Sequence, residues 1–300
     1  MSSLQRPEGP SPDDLTLSRR SLFALPALAG YAAFSSYAHA QPIRTDTEGL
    51  IVGDVRIPTR DGAIDGYSAR PDVRGRSPVV IVVPEVFGIH EYIRDVCRRL
   101  AKQGYVAIAP DFFDRAGDPS GMTDFSQIQR IVATATNEQV MGDLAATLAF
   151  ARAQSYADVR RAGITGFCWG GAVVWMACAR FRDFDAGVAW YGRLAPPEES
   201  NYLAREQRPW PLQVVRDLNC PVLGLYAEND RGIPLSTVEQ MRGELRRYRK
   251  RDSDIVVYPG AQHGFHADYR DSYDAADAAD GWRRLLAHFE RHVKPRRLFG

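Results

Sequence analysis

The chain has 300 residues, 38 Lys and Arg against 37 Asp and Glu, and 45 % hydrophobic residues. That length and apolar content allow a sizeable core, and the balanced charge gives no reason to expect a nucleic-acid or acidic partner. Its four cysteines, Cys97, Cys168, Cys178 and Cys220, are widely spaced, which excludes a C-x-x-C motif and a dense disulfide framework.

The N-terminal region reads differently from the rest. Residues 1–17 are polar and rich in Pro and Ser. Ser18-Arg19-Arg20-Ser21-Leu22-Phe23 follows, then an Ala/Leu-rich run to about Phe34 and Ala38-His39-Ala40. Twin arginines, a modestly apolar segment and an A-x-A site make residues 1–40 a twin-arginine export signal. The apolar run is shorter than the roughly 20 residues that a membrane span takes. The mature chain, residues 41–300, is therefore expected to start near Gln41 as one domain. It is expected to be periplasmic or secreted, with no stable membrane insertion.

Residues 50–57 and 64–69 read as short strands about the turn signal Arg60-Asp61-Gly62, an antiparallel hairpin at a sheet edge. Val79 to Val83 is a continuous β-branched run, as in a strand buried on both faces. Residues 91–103 have helical spacing, with Ile93, Val96, Cys97 and Leu100 on one face, Arg and Asp opposite, and Gly104 as the stop. Tyr105 to Ala109 is the next strand. Residues 111–130 read as a long loop suited to substrate contacts, and 138–153 as a helix. A strand over Ala162 to Thr165 leads into a helix that ends near Phe181. Ala186 to Tyr191 is a strand, and residues 193–216 are Pro-rich and irregular, suited to a cap over a pocket. Pro221 to Tyr226 and Ile255 to Tyr258 are strands, and 236–250 and 272–292 are helices. Alternating strands and helices predict an α/β fold with a mostly parallel sheet. The basic run Arg246 to Arg251 reads as a solvated helix end.

Between strand and helix lies Gly166-Phe167-Cys168-Trp169-Gly170-Gly171. This is the G-x-nucleophile-x-G pattern of a nucleophile elbow, with Cys in the central place. The central residue must stand proud of the sheet on a strained turn, and side chains two positions away would collide with the neighbouring strand and helix. The Trp169 N–H then lies at a helix N-terminus, where an oxyanion is held. Asp230 follows the strand that ends at Tyr226, and His263 follows the one that ends at Tyr258. Cys168, Asp230 and His263 thus stand in the order Cys, acid, His, each after a strand, as in α/β-hydrolases. A thiol attacks well only as thiolate, so His263 would take its proton and Asp230 would orient the imidazole. Taken singly, Asp230 is equally a turn-capping Asp, and His263 a loop residue with no role. His263 and His266 make a poor metal pair, because no third ligand is placed near them, so no metal is expected. Cys97, Cys178 and Cys220 read as core residues. A disulfide among them is open in an oxidising compartment, but the sequence assigns none.

With these residues in place, the chain resembles the dienelactone hydrolase (carboxymethylenebutenolidase) family over about residues 48–293. The resemblance rests on Pro84-Glu85-Val86-Phe87-Gly88, Ile93-Arg94-Asp95, Gly104-Tyr105-Val106-Ala107, Pro110-Asp111-Phe112-Phe113, the Cys elbow and Tyr258-Pro-Gly-Ala-Gln-His263-Gly-Phe265. It implies an α/β-hydrolase fold and hydrolysis of a lactone or small ester without a cofactor. It also implies that Glu85 controls the protonation of Cys168, that the Val86 and Trp169 amides form the oxyanion hole, and that Arg115 and Phe87 contact substrate. The family's second arginine, four residues after the His, is replaced here by Ala267, which would leave Glu85 without a partner unless His266 substitutes. The expected activity is a cysteine hydrolase working through an acyl-thioester. The alternatives are a broad carboxylesterase or acyl-transfer enzyme and, in another class, a non-catalytic binding protein on the same fold. The sequence leaves the oligomeric state open, a monomer being the simplest expectation.

Overall fold

The computed structural model describes residues 42–196 and 209–294. The expected export signal and part of the expected cap lie outside these residues. One eight-stranded sheet, in the order β1-β2-β4-β3-β5-β6-β7-β8, runs through the molecule. β1 (Leu50–Thr59) and β2 (Gly62–Pro71) form the antiparallel edge hairpin, and β2 pairs antiparallel with β4 (Val106–Pro110). From β4 onward all neighbours are parallel: β3 (Ser77–Val83), β5 (Ala157–Phe167), β6 (Ala186–Trp190), β7 (Val222–Ala227) and β8 (Asp254–Tyr258). The fold is that of an α/β-hydrolase. The Val-rich run of β3 is buried on both faces, which is why it reads as a continuous apolar stretch without alternation.

Seven α-helices lie among the described residues. They are α1 (Glu91–Lys102), α2 (Phe125–Val132), α3 (Asn137–Ala153), α4 (Trp169–Arg180), α5 (Pro211–Val214), α6 (Leu235–Arg247) and α7 (Ala275–His292). α2 occupies part of the stretch expected to be loop. Its start is fixed by Asp124, whose side chain accepts from Ser126 N, and its buried Ile128, Ile131 and Val132 hold it to the core. The expected irregular stretch before β7 contains α5 and a short 3₁₀ turn, Val215–Asp217.

On α1 the apolar face is as expected: Ile93, Val96, Cys97 and Leu100 are fully buried. Burial of each large aliphatic side chain stabilises by about 1.5–3 kcal/mol. The middle of the opposite face is covered. Asp95 is fully buried and accepts from Thr45 N at 2.5 Å, Arg98 Nη2 at 3.1 Å and Arg99 Nε at 2.5 Å. Arg98 Nε donates to Thr45 O at 3.0 Å, and Arg99 Nη2 donates to Asp268 Oδ2 at 2.7 Å. The segment before β1 and the loop after β8 are thereby tied to one helix face. No helix among the described residues is long and apolar enough to cross a membrane.

Candidate active site

The elbow is built at the C-terminal end of β5, where ligand sites of parallel sheets belong. Cys168 has φ 54° and ψ −114°, a conformation that costs a non-glycine residue about 1–3 kcal/mol and persists only where its surroundings enforce it. Cys168 N donates to Trp190 O at 3.0 Å, and Gly171 N donates to Cys168 O at 3.0 Å. A Cβ on Gly166 would meet Gly170 O at 2.4 Å, and one on Gly170 would meet Val83 O at 2.4 Å. Both positions therefore admit only glycine. Trp169 opens α4, so its N–H has no acceptor within the helix. The Trp169 ring packs on Phe112 and Phe113 at 5.7 and 5.2 Å between centroids, which fixes that end of the helix. After β3, Gly88 N donates to Glu85 O at 3.1 Å, closing a turn whose own hydrogen bond leaves out the Val86 N–H.

The loops after β7 and β8 are zipped together. Glu228 N donates to Tyr258 O at 3.0 Å, Asn229 N to Ala261 O at 2.8 Å and Gly260 N to Glu228 Oε2 at 2.8 Å. This brings Asp230 to His263, with Oδ2 2.6 Å from Nδ1. The other oxygen of Asp230 accepts from Gly232 N at 2.8 Å and Ile233 N at 3.1 Å. One oxygen of Asp230 thus caps its own turn while the other holds the His263 ring, and the cap is what aims the carboxylate. Burial alone would push the His263 pKa down. The Asp230 carboxylate and the Cys168 sulfur outweigh burial and lift it to about 9. Cys168, Asp230 and His263 are each at least nine-tenths buried.

Glu85 is fully buried at the end of β3. Its Oε2 accepts from Tyr269 OH at 2.5 Å, and its Oε1 from Arg270 Nη2 at 3.1 Å. His90 Nε2 lies 3.6 Å from Oε2. Burial works to raise the Glu85 pKa, but Arg270 and then His90 outweigh it and hold the carboxyl at about 2. Ala267 therefore does not leave Glu85 without a cation. Arg270, three positions further on, takes that place. Gly264 makes this possible: its φ is +80°, and a Cβ there would lie 2.9 Å from Arg270 Cδ. His266 is not the substitute. Its Nδ1 is 2.6 Å from Tyr92 OH, its ring stacks on Phe167 and Trp282, and burial, with Arg99, keeps its pKa well down.

Two expected substrate contacts are placed otherwise. Arg115 is held by two acids. Nε and Nη2 donate to Asp61 at 2.7 Å each, and Nη1 and Nη2 donate to Asp143 at 2.9 Å each. The guanidinium joins the β1–β2 turn to α3, and a bidentate fork engaged on both sides has no remaining face for a substrate carboxylate. Phe87 is buried, with the Arg270 guanidinium 5.2 Å from its ring centroid and the His90 ring edge-on at 6.2 Å. Its ring supports Arg270.

A profile of the Dienelactone hydrolase family matches residues 64–293. The chain belongs to the dienelactone hydrolase family. Among proteins of this family, it is 47 % identical over 279 residues to "Putative carboxymethylenebutenolidase" of Methylorubrum extorquens, covering 92 % of this chain and 94 % of that one. It is 41 % identical over 266 residues to the protein of the same name from Escherichia coli K12, covering 88 % and 96 %. The crystal structure of "Putative Dienelactone Hydrolase" from Klebsiella pneumoniae superposes with TM-score 0.76 at 43 % identity, covering 81 % of this chain and 99 % of that one. As a member of the dienelactone hydrolase family, the chain is a carboxylic ester hydrolase.

Three further side chains of the candidate site belong to no sequence motif. Tyr269 and Arg270 lie seven positions or fewer beyond His263, in no pattern of their own, and the tight glycine after the His was the one available signal. Tyr191 directly follows β6, at the same sheet end as the other site residues, and that position was its signal. It has φ 37°, is fully buried, and packs edge-on against His263 at 5.0 Å between centroids.

Proposed function

We propose that the protein hydrolyses a lactone or small carboxylic ester with Cys168 as nucleophile, through an acyl-thioester. The observation that supports this most is the Cys168 backbone, held at positive φ between two enforced glycines, beside a His263 that is oriented by Asp230. His263 takes the thiol proton, and the sulfur attacks the carbonyl carbon. The Val86 and Trp169 N–H groups receive the oxyanion that forms. On collapse the C–O bond breaks and the imidazolium gives its proton to the leaving alkoxide, which in a lactone stays tethered as a hydroxyl. A water then loses a proton to His263 and attacks the thioester, releasing the acid and restoring the thiol. Arg270 and Tyr269 engage both oxygens of Glu85, so in this arrangement Cys168 is left to His263. A carboxylate that moves from Arg270 to the thiol would hold it protonated between turnovers and protect it from oxidation.

A second reading, a preference for uncharged esters, is favoured by the two arginines. Arg115 is committed to Asp61 and Asp143, and Arg270 to Glu85. Hydrolysis of p-nitrophenyl acetate and of a carboxylate-bearing dienelactone by the mature protein, with Cys168→Ala beside it, tests both. The expected result is loss of both activities in Cys168→Ala; equal rates in the two proteins overturn the nucleophile. A higher kcat/KM for the dienelactone would contradict the second reading. Export by residues 1–40 belongs to the same proposal. Arg19→Lys with Arg20→Lys should abolish recovery from the periplasm, and unchanged recovery would refute it.

A further inference from the structure

Cys178 and Cys220 have no part in the proposed mechanism, and they are brought together by the backbone. Cys178 lies in the last turn of α4, and Cys220 stands two residues before β7. Asn219 N donates to Cys178 O at 2.9 Å, and Asn219 Nδ2 donates to Ala179 O at 2.9 Å. On the other side, Gly187 of β6 donates to Pro221 O at 2.9 Å. The Cys178 sulfur rests on that same Gly187, so closely that a Cβ there would meet it at 2.6 Å. Cys220 is thus held between two peptides, one bonded to Cys178 itself and one bonded to the glycine beneath its sulfur. Burial, and then the Cys220 thiol beside it, push the Cys178 pKa well up. Cys178 is fully buried, whereas Cys220 keeps 9 % exposure.

We propose that Cys178 and Cys220 are a disulfide pair that closes on contact with a disulfide oxidant and ties the helix behind Cys168 to the strand that leads to Asp230. Where it closes in the cell rests on the export reading, but the pairing does not. The oxidant is a small-molecule or protein disulfide. Cys220, the more exposed, loses its proton and attacks one sulfur of the oxidant, expelling one thiolate and leaving a mixed disulfide. Cys178 then loses its proton and attacks the Cys220 sulfur, expelling the second thiolate. Two protons and two electrons leave the protein, and the oxidant departs as two thiols. Cys168 cannot compete for Cys178. Ten residues of helix separate them by about 15 Å, beyond the roughly 7 Å between Cα atoms that a disulfide spans. The bridge closes a loop of some forty residues that contains β6, and such a cross-link raises Tm by roughly 5–15 °C for a domain of this size.

The test treats the folded, reduced mature protein with oxidised glutathione, alkylates remaining thiols in denaturant and maps the peptides. The expected result is a peptide pair linked through Cys178 and Cys220, with Cys97 alkylated. The Tm should fall by roughly 5–15 °C when reductant is added. Cys220→Ser should lose both the link and the reductant effect while hydrolysing p-nitrophenyl acetate at the normal rate. Alkylation of both Cys178 and Cys220, or separate glutathione adducts on each, overturns the pairing. Protein isolated from whole cells with its thiols blocked at lysis should carry the same link. A link formed in vitro but absent there would refute the export reading and leave the pairing standing.

Discussion

Replacing Arg270 with Met removes the cation from Glu85 while keeping most of the side chain's volume. The nearest Glu85–Arg270 contact is 3.1 Å, and both side chains are buried to within 1 % of full enclosure. At an effective dielectric of about 20, unit charges at that distance attract by about 5 kcal/mol. Glu85 would be left with Tyr269 and His90 alone, and removing one partner of a buried pair costs about 3–5 kcal/mol. At about 2–4 °C per kcal/mol for a domain of this size, Tm should fall by roughly 10 °C. With Arg270 gone, burial is no longer outweighed and the Glu85 carboxyl moves up from about 2. The double variant Glu85→Gln with Arg270→Met has no stranded charge and should recover most of the loss. Thermal unfolding of the four proteins gives the coupling energy directly. A Tm for Arg270→Met within about 2 °C of the parent, or a double variant as unstable as the sum of the singles, would refute the reasoning.

Asp230→Asn should lower kcat/KM by about 10²–10⁴-fold. It should also move the alkaline limb of the pH–rate profile downward. The sign follows from His263, which is charged below its raised pKa of about 9 and loses the proton it must give to the leaving group as pH rises through that value. An unmoved limb in a pH-stat assay would detach His263 from Asp230. Arg115→Ala strands the buried Asp143 and should destabilise by about 1–3 kcal/mol, read by urea unfolding. Its effect on matched anionic and neutral esters should be equal, since the arginine is a strut; a selective loss of the anionic ester would restore a substrate role.

The sheet, and the places of Cys168, Asp230 and His263 at its strand ends, were legible because their signals are local. The Val run of β3, the glycines about Cys168, and an acid and a His each just past a strand all lie within a few positions of the feature that they mark. The Glu85 partnership was not legible, because Glu85 and Arg270 lie 185 positions apart and the loop that joins them is shaped by Gly264. Arg115 stood in a recognisable motif. The acids that hold it, Asp61 and Asp143, are 54 and 28 positions away and carry no mark of their own. Asp95 and Arg98 followed the polar stripe of α1 correctly, but Thr45 and its neighbours cover that stripe, which helical periodicity does not report. α2 was hidden by its length of eight residues and by the Gly- and Pro-rich stretch before it.

The proposal that Cys168 is the nucleophile is tested most directly by trapping the acyl-enzyme. The protein is mixed with p-nitrophenyl acetate, quenched in acid within the first turnovers, digested and mapped by mass spectrometry. One acetyl group on the Cys168 peptide, labile to hydroxylamine and absent from Cys168→Ala, is the predicted result. An acetyl group on another residue, or full turnover by Cys168→Ala, would contradict it.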